Sequence, residues 1–229
     1  MRHRSDALRE PFAVLHSALL GMVGLILAFG LALAMGRYET RRAALVQEAN
    51  TIGTTYLRAE TLSEPMRTSS LDLLKDYTDT SIALSGSVPG SAGADAAVSA
   101  GQEIQRALWG LAGDALEAAP TASAPRLYVE SLNEMIDMQT VRVAALGNRV
   151  PTPILAVEVF GAAIALGLLG FYLSMIGRGV YAVLLAAVLV SCLILVTFDL
   201  DRPTRGLISV PDTALVDLRA SMELPPAAG

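Results

Sequence analysis

The sequence predicts an all-α integral membrane protein with three transmembrane helices and a helical aqueous bundle inserted between the first and the second. Two observations lead to this prediction. Hydrophobic residues make up 53% of the 229 residues and charged residues only 17%, whereas soluble domains average about 25% charged residues. The apolar residues also gather into three long runs, and about 20 consecutive apolar residues are what a helix needs to cross a bilayer.

The first predicted span covers residues 12–36 and follows a polar N-terminal segment at residues 1–11. Its 25 residues include no Asp, Glu, Lys or Arg. As a helix they extend about 37 Å, more than a hydrocarbon core of about 30 Å. A cleaved signal peptide is the alternative, because arginines precede the run and Ala32-Leu33-Ala34 resembles a cleavage site. The run is longer than the usual apolar stretch of about 7–15 residues, so we expect the span to be retained.

Two further spans are predicted at residues 154–176 and 180–198, with a C-terminal segment at residues 199–229. Only Gly177-Arg178-Gly179 separates the two spans, so they form a tight hairpin. Small residues recur every three or four positions on the first two spans, a spacing that lets helix backbones approach closely in lipid. This pattern fits either packing within one subunit or a subunit interface. The small residues are Ser17, Gly21, Gly24, Ala28 and Ala32 on the first span, and Ala163, Gly167, Gly170, Ser174 and Gly177 on the second.

Residues 37–152 predict a helical extramembrane domain, because they are too many and too regularly patterned for a plain loop. Leu45, Ala49 and Ile52 begin a helical apolar face, and no helix breaker other than Gly36 separates this face from the first span. We therefore expect one long helix to continue from the bilayer into the domain. Further helices are predicted from Pro65 onward, at 97–118 and at 126–148, with loops at 85–94 and 119–125.

Charge and motifs restrict the function. The net charge of −5 disfavours nucleic-acid binding, because proteins that bind polyanions usually carry a basic patch. The single cysteine, Cys192, forms neither a disulfide framework nor a cysteine zinc site. The chain contains no Gly-x-Ser-x-Gly, P-loop, Gly-x-Gly-x-x-Gly or His-Glu-x-x-His motif. We expect no enzymatic activity, no metal, no cofactor and no nucleic-acid partner.

Polar residues in or beside the spans are the candidate functional residues. Glu158 is the only acidic residue within an apolar span, and a charge inside the membrane is a functional hypothesis by default. It is either an interfacial carboxylate or a pore residue. The segment at 48–60 places Asn50 and Thr54 in mid-helix, where their helix propensity is poor. This indicates either close packing or the polar lining of a vestibule, with Glu48, Asn50 and Thr54 as ion-path candidates.

The charged sequence DLDRPTRG follows the third span directly and begins at Asp199. Its charges fit either a solvated helix end or a cation site. Asp199 and Asp201 point to different sides of a helix, since each residue turns it by about 100°. They share a cation only if the helix has already ended before them.

Three blocks of the sequence resemble the bacterial bestrophin-like membrane-protein family. They are RYETRRAALVQEANTIGTTYLRAETLSEP, LNEMIDMQTVRVAALGNRVP and FDLDRPTRGLISV, and the resemblance extends over about residues 25–218. The family is distantly related to bestrophins, which are pentameric anion channels with four spans per subunit and a helical cytosolic region. The resemblance therefore implies a channel-like homo-oligomer, with a pentamer as one expected assembly. Its motif residues in this chain, whose roles the resemblance does not settle, are Glu48, Asn50, Gly53, Tyr56, Arg58, Asp199, Asp201, Arg202, Pro203 and Gly206.

Two departures accompany the resemblance. Members of the family usually carry one more span before the first span predicted here, and its absence would move the N-terminus to the other side of the membrane. The pore and calcium-site motifs of bestrophins do not match this sequence position by position. No pore residue is therefore carried over from them.

The sequence predicts a homo-oligomeric protein of the bacterial inner membrane that conducts small ions. The alternative is a non-conducting, membrane-anchored accessory subunit whose helical bundle docks a cytoplasmic protein. The expected partners are the lipid bilayer, further copies of the chain and, under the alternative, that cytoplasmic protein. More arginines flank the membrane on the side of the bundle and the C-terminus than on the other side, which favours a cytoplasmic bundle. The N-terminal arginines favour the reverse.

Overall fold

Seven helices form the described part of the chain, and no strand occurs within it. The computed structural model describes the backbone of residues 2–176 and 179–224 and the side chains of residues 14–174 and 179–224. The all-helical class predicted from the sequence is confirmed. The helices are α1 (Arg2–Ala59), α2 (Met66–Gly86), α3 (Ala92–Ala118), α4 (Ser123–Gly147), α5 (Thr152–Ile176), α6 (Val180–Asp201) and α7 (Thr213–Ser221).

Helix α1 is continuous over 58 residues, or about 87 Å at 1.5 Å per residue. The absence of a strong breaker near Gly36 predicts this continuity, and the polar segment at 2–11 belongs to the same helix. Helices α1, α5 and α6 each carry a stretch long and apolar enough to cross a membrane. The prediction of three apolar helices is therefore confirmed. Two residues of the predicted turn, 177 and 178, lie outside the described residues.

The chain divides into two compact units. Unit 1 comprises Met1–Arg37 and Arg149–Arg202, and thus contains the first part of α1 together with α5 and α6. Its core pairs Val23 and Leu27 of α1 with two alanines of α5, Ala162 and Ala165. Small residues on α5 allow the two helices to pack closely, which is how apolar helices associate in lipid.

The predicted small-residue stripes do not form this core. All five stripe residues of the first span, Ser17, Gly21, Gly24, Ala28 and Ala32, are exposed in unit 1. On α5, Ala163, Gly167 and Ser174 are exposed and Gly170 is half-buried, while Gly177 lies outside the described residues. Packing within the chain uses other faces of both helices. The stripes therefore remain available to lipid or to another copy of the chain.

Unit 2 comprises Tyr38–Asn148 and Pro203–Gly229, and its core gathers one apolar face from each of its five helices. The face of α1 that the sequence predicts, Leu45, Ala49 and Ile52, is buried there. Fully burying one large apolar side chain contributes about 1.5–3 kcal/mol, so this shared core stabilises the whole unit. Its other principal members are Leu74 and Tyr77 of α2, Leu108 of α3, Leu132 and Met135 of α4, Leu215 of α7, and Met222.

Two expectations about unit 2 are corrected. From the sequence, Trp109 is best interpreted as a packing anchor of the third extramembrane helix. It is 47% exposed, and its neighbour Leu108 is fully buried instead. The sequence gives no indication of α7. Residues 207–210 are expected to pack onto the bundle, and Val210 does pack against its core, whereas Leu207 is almost fully exposed. Leu215 of α7 is fully buried in the same core. A helix of nine residues is too short for its periodicity to be distinctive.

Gly101 of α3 provides a test of the packing in unit 2. A Cβ atom at Gly101 would lie 2.5 Å from Nε2 of Gln139, whereas a Cβ at Gly110 of the same helix would meet nothing within 4 Å. Both Gly→Ala changes gain similar helix propensity, so their difference isolates the clash. We expect Gly101→Ala to be less stable than Gly110→Ala by about 1–3 kcal/mol. Denaturant unfolding of the full chain in micelles, followed by circular dichroism, measures this difference, and equal stabilities would contradict the packing.

Candidate functional site

The part of α1 in unit 2 has one exposed face and one buried face. Asn50 and Thr54, both predicted ion-path residues, are exposed. Val46 and Leu57 flank them and are 42% and 64% exposed. These positions recur every three or four residues, so they form a single stripe on one side of the helix. We call this set the α1 stripe; its members are Ala43, Val46, Gln47, Asn50, Thr54 and Leu57.

Glu48 does not lie on the α1 stripe. Its side chain is fully buried in the core of unit 2, where it forms an ion pair with Arg142 of α4. The structure therefore separates Glu48 from Asn50 and Thr54, with which the sequence grouped it. Each helical residue turns by about 100°, so Glu48 and Asn50 necessarily point in different directions.

The buried guanidinium of Arg142 is shared among three helices. Besides Glu48 of α1, it donates from Nη2 to the carbonyl oxygen of Ser81, at 2.9 Å, and to Oγ of Ser85, at 2.5 Å. The hydroxyl of Ser81 in turn donates to Oε1 of Glu48 at 3.2 Å. An ion pair removed from water is tolerated only when such additional hydrogen bonds satisfy both partners. Arg142 thus connects α1, α2 and α4.

Burial sets the protonation behaviour of this cluster. Desolvation raises the pKa of the Glu48 carboxyl above its ordinary value, and the charge of Arg142 opposes the rise. Desolvation also raises the pKa of the Tyr77 phenol, and the nearby Glu48 carboxyl adds to that effect. Both groups are therefore unsuited to fast proton exchange with bulk water. Their arrangement is that of a structural polar network.

The network continues into α3 through two buried amides. Nε2 of Gln105 donates to the phenol oxygen of Tyr77, at 3.2 Å, and to Oε1 of Gln139, at 2.9 Å. Gln139 has room because Gly101 lacks a side chain. Buried polar groups need such partners, because an unmade hydrogen bond in the interior costs about 1–3 kcal/mol. The two amides thereby fix α3 against α2 and α4.

The weak helix formers at 48–60 have local partners. The hydroxyl of Thr51 donates to the Glu48 carbonyl at 2.9 Å, and that of Thr55 donates to the Thr51 carbonyl at 2.8 Å. Gly53 faces α7, since a Cβ there would lie 3.1 Å from Cδ1 of Leu218. The two threonines thus satisfy their hydroxyl groups within α1, and Gly53 allows close packing of Leu218. The α1 stripe is the part of the segment that such packing does not explain.

Two further family-motif residues hold α1 within unit 2. The phenol of Tyr56 donates to the carbonyl of Met222 at 3.2 Å. Arg58 donates to the carbonyl of Leu127 at 2.6 Å and lies 3.6 Å from a carboxylate oxygen of Glu130. Tyr56 thus holds the C-terminal segment, and Arg58 holds the start of α4.

The motif residues at the end of α6 do not form a metal-binding group among the described residues. Helix α6 continues through Asp201, so Asp199 and Asp201 stay on different sides of it. In unit 1, Oδ1 of Asp201 accepts a hydrogen bond from the backbone N–H of Val150 at 2.7 Å, which ties the end of α6 to the residues before α5. Arg202 is exposed. The described residues contain no group of His, Cys, Asp and Glu that could hold a metal.

The motif continues in unit 2 with Pro203, which is buried, and Gly206, which is exposed. Neither residue has a side chain that can form a hydrogen bond. Their placement gives a packing role to Pro203 only.

Glu158 of unit 1 is fully buried and does not face an open path. Its carboxyl group lies against Gly30 of α1, and neither of its oxygens has a hydrogen-bond partner among the described residues. The expectation of a carboxylate reaching water at the interface is therefore wrong for this conformation. His16 is also buried in unit 1 without a hydrogen-bond partner, and its ring stacks on Tyr172 with centroids 5.8 Å apart.

Comparison with known proteins identifies the family. The Bestrophin-like domain model matches residues 2–215, which is nearly the whole chain. The chain belongs to the Bestrophin-like family. No curated protein gives a significant match.

Two crystal structures of a bacterial bestrophin homologue from Klebsiella pneumoniae share the fold. One, phased with zinc, superposes with a TM-score of 0.73 at 13% identity and covers 93% of this chain and 85% of the other. The second is a point mutant with a TM-score of 0.70, also at 13% identity, covering 92% and 86%. Identity this low shows a common fold and no more.

Sequence reasoning missed Arg142 as a functional residue. It lies 94 positions from Glu48, and nothing in the spacing of either residue indicates the other. One signal was available: Arg142 falls on the same predicted face of the fourth helix as Leu132 and Met135. A charge on an apolar face usually has a buried partner.

The Glu48–Arg142 pair provides a second test. Removing one partner leaves an uncompensated buried charge, so Glu48→Met or Arg142→Met alone should destabilise unit 2 by about 3–5 kcal/mol. Replacing both with methionine should recover most of this loss, because neither charge then remains. Denaturant unfolding in micelles measures all four proteins, with exposed Gln47→Ala as a control expected within about 0.5 kcal/mol of the parent. A double mutant no more stable than the single mutants would contradict a paired role.

Proposed function

We propose that the chain is one subunit of a homo-oligomeric channel that conducts small ions across the bacterial inner membrane. The family supports this proposal, because bestrophins are ion channels that assemble as pentamers. The three apolar helices support membrane insertion. No enzymatic step and no cofactor are part of the proposal.

Oligomerisation follows from the number of helices. Three helices cannot enclose an aqueous pore, so a conducting path needs one helix from each of several copies. The exposed small-residue stripes of unit 1 are suited to this assembly, because small residues let helices of neighbouring subunits approach closely. The core of unit 1 leaves those stripes unused.

The single observation that carries the conducting role is the α1 stripe. Asn50 and Thr54 lie on an exposed face of α1, whereas Tyr56 and Arg58 of the same segment bind the C-terminal segment and α4. Short polar side chains interleaved with Val46 and Leu57 suit a narrow, partly hydrophobic vestibule, and hydrophobic constrictions are known gates. We therefore assign Asn50 and Thr54 to the ion path and exclude Glu48 from it.

The proposed orientation places unit 2 and the C-terminus in the cytoplasm. The arginines that flank the predicted spans on this side outnumber those on the other, as the positive-inside tendency requires. Accessibility of an introduced cysteine to a membrane-impermeant thiol reagent, in intact cells and in lysed cells, tests this placement.

A charge introduced on the α1 stripe tests the conducting role. Asn50→Lys adds one positive charge per subunit to the proposed vestibule. If this charge changes the free energy of a cation relative to an anion in the vestibule by about 1 kcal/mol, the ratio of the two ions there changes by a factor of about five. We expect the ratio of potassium to chloride flux in liposomes to fall at least about fivefold.

The matched control is Ser69→Lys, which adds the same charge at an exposed position of α2. It should leave the ratio close to that of the parent. Equal effects of the two substitutions would remove the α1 stripe from the ion path. No chloride, sodium or potassium flux from the parent protein at any voltage or pH would refute the channel itself.

The second candidate is the non-conducting accessory subunit. One observation favours it: an open groove of about 360 Å³ between α3 and α4, lined by Gln102, Gln105, Arg106, Trp109 and Ile136. An exposed tryptophan and arginine beside a groove are typical of protein contacts. A stoichiometric, unlike partner in mild detergent, lost on Trp109→Ala and combined with an absence of flux, would favour this function over the channel.

A further inference from the structure

Unit 1 contains one buried carboxyl group without a hydrogen-bond partner among the described residues, that of Glu158. Glu158 has no exposed surface, and both of its oxygens lack hydrogen bonds among the described residues. Buried polar groups are nearly always hydrogen-bonded, and an unsatisfied one calls for an explanation. Packing alone does not supply it, because leucine or methionine would fill a similar space without burying oxygen atoms.

Gly30 of α1 forms the surface against which this carboxyl lies. A Cβ atom on Gly30 would be 1.2 Å from Oε1, 2.3 Å from Cδ and 2.9 Å from Oε2 of Glu158. Every other residue type would therefore collide with the carboxyl. Gly36, two turns further along α1, has nothing within 4 Å of the same position. The room at Gly30 is specific to Glu158.

Among the described side chains of unit 1, none is hydrogen-bonded to Glu158, and this includes the two arginines at the borders of the unit, Arg149 and Arg202. On α1, the only ionisable side chains among residues 14–37 are His16 and Arg37, about 21 Å and 10 Å along the helix from Gly30. On α5, no other Asp, Glu, Lys or Arg occurs in the helix, although it carries Tyr172. On α6 the acids are Asp199 and Asp201, beside Tyr181 and Cys192. The structure shows no bond from any of them to Glu158.

We propose that Glu158 is a proton-binding site, occupied while α1 and α5 are packed together at Gly30. An ionised carboxylate that is buried without a hydrogen-bond donor is strongly disfavoured, whereas the neutral acid is tolerated. Loss of the proton to water requires water or a cation to reach the carboxylate, and the contact at Gly30 leaves no space for either. Deprotonation therefore opens this contact, and protons hold it closed.

This site gives the ion path a control by pH, a consequence that rests on the proposed channel function. Acidic conditions favour the packed arrangement of α1 and α5, and alkaline conditions favour its opening. Because α1 also carries the α1 stripe, the same helix contains both the proton site and the proposed path. Conduction should therefore change with pH in a manner that depends on Glu158.

Infrared spectroscopy tests proton binding without any need for conduction. The full chain in nanodiscs near neutral pH, compared with Glu158→Gln, should show the carbonyl band of a protonated carboxylic acid that the variant lacks. Glutamine is a neutral isostere, so the packing should survive the change. At alkaline pH the band should convert to that of a carboxylate. A difference spectrum with carboxylate bands alone near neutral pH would overturn the proposal, because exposed carboxyls are ionised there.

Substitutions at Gly30 test the geometry. Gly30→Ala should displace the carboxyl and abolish its protonated band, whereas Gly36→Ala should leave the band unchanged. Combining Gly30→Ala with Glu158→Ala removes the carboxyl group with which the new Cβ atom collides. This double variant should recover the thermal stability lost in Gly30→Ala. An unchanged band in Gly30→Ala would show that Glu158 does not lie against Gly30.

Flux measurements then separate the proton site from the channel. Between about pH 5 and pH 9, flux through the parent protein should vary with pH. In Glu158→Gln, the size of this variation should be smaller by a factor of at least about ten. His16→Phe should retain it, which excludes the other buried titratable group described in unit 1 on α1. An infrared band without any flux would leave the proton site valid and refute the channel. Flux whose pH dependence persists in Glu158→Gln would refute the control by this site.

Discussion

The architecture of unit 2 depends on one buried guanidinium. Arg142 cannot be deprotonated, so its charge has to be satisfied wherever the chain places it. From α4, Arg142 donates to a carboxylate of α1 and to a carbonyl and a hydroxyl of α2. These three helices contribute residues that are far apart in the sequence. Their convergence fixes the rotation of each helix, and this rotation directs Asn50 and Thr54 away from the core.

Local features of the fold follow from the sequence, because they depend on composition and periodicity. The apolar runs of α1, α5 and α6 and the buried face at Leu45, Ala49 and Ile52 were predictable in this way. The pairing of Glu48 with Arg142 was not, since it joins residues 94 positions apart. The small-residue stripes show a further limit. Spacing identifies a face that permits close approach, but it does not identify the helix that approaches, and the structure leaves those faces exposed.

The unusual segment at 48–60 illustrates why poor helix propensity alone cannot identify a functional residue. Thr51 and Thr55 satisfy their hydroxyls on the preceding turn of α1, and Gly53 admits Leu218. These positions have structural reasons for their residue types. Asn50 and Thr54 have none, because they are exposed and the described hydrogen bonds do not involve their side chains. Within the segment, the α1 stripe therefore contains the positions whose residue types these contacts do not explain.

Glu48 and Glu158 are the two fully buried acids of the described residues, and the contrast between them separates structure from function. Glu48 is surrounded by donors, from Arg142 and Ser81, and these donors offset the cost of burying its negative charge. Glu158 has no donor and a glycine at its oxygens, so the same charge would oppose the packed state. A buried carboxylate with such partners holds its surroundings in one arrangement. One whose ionisation disrupts its surroundings makes two arrangements close in energy, and a switch requires that closeness.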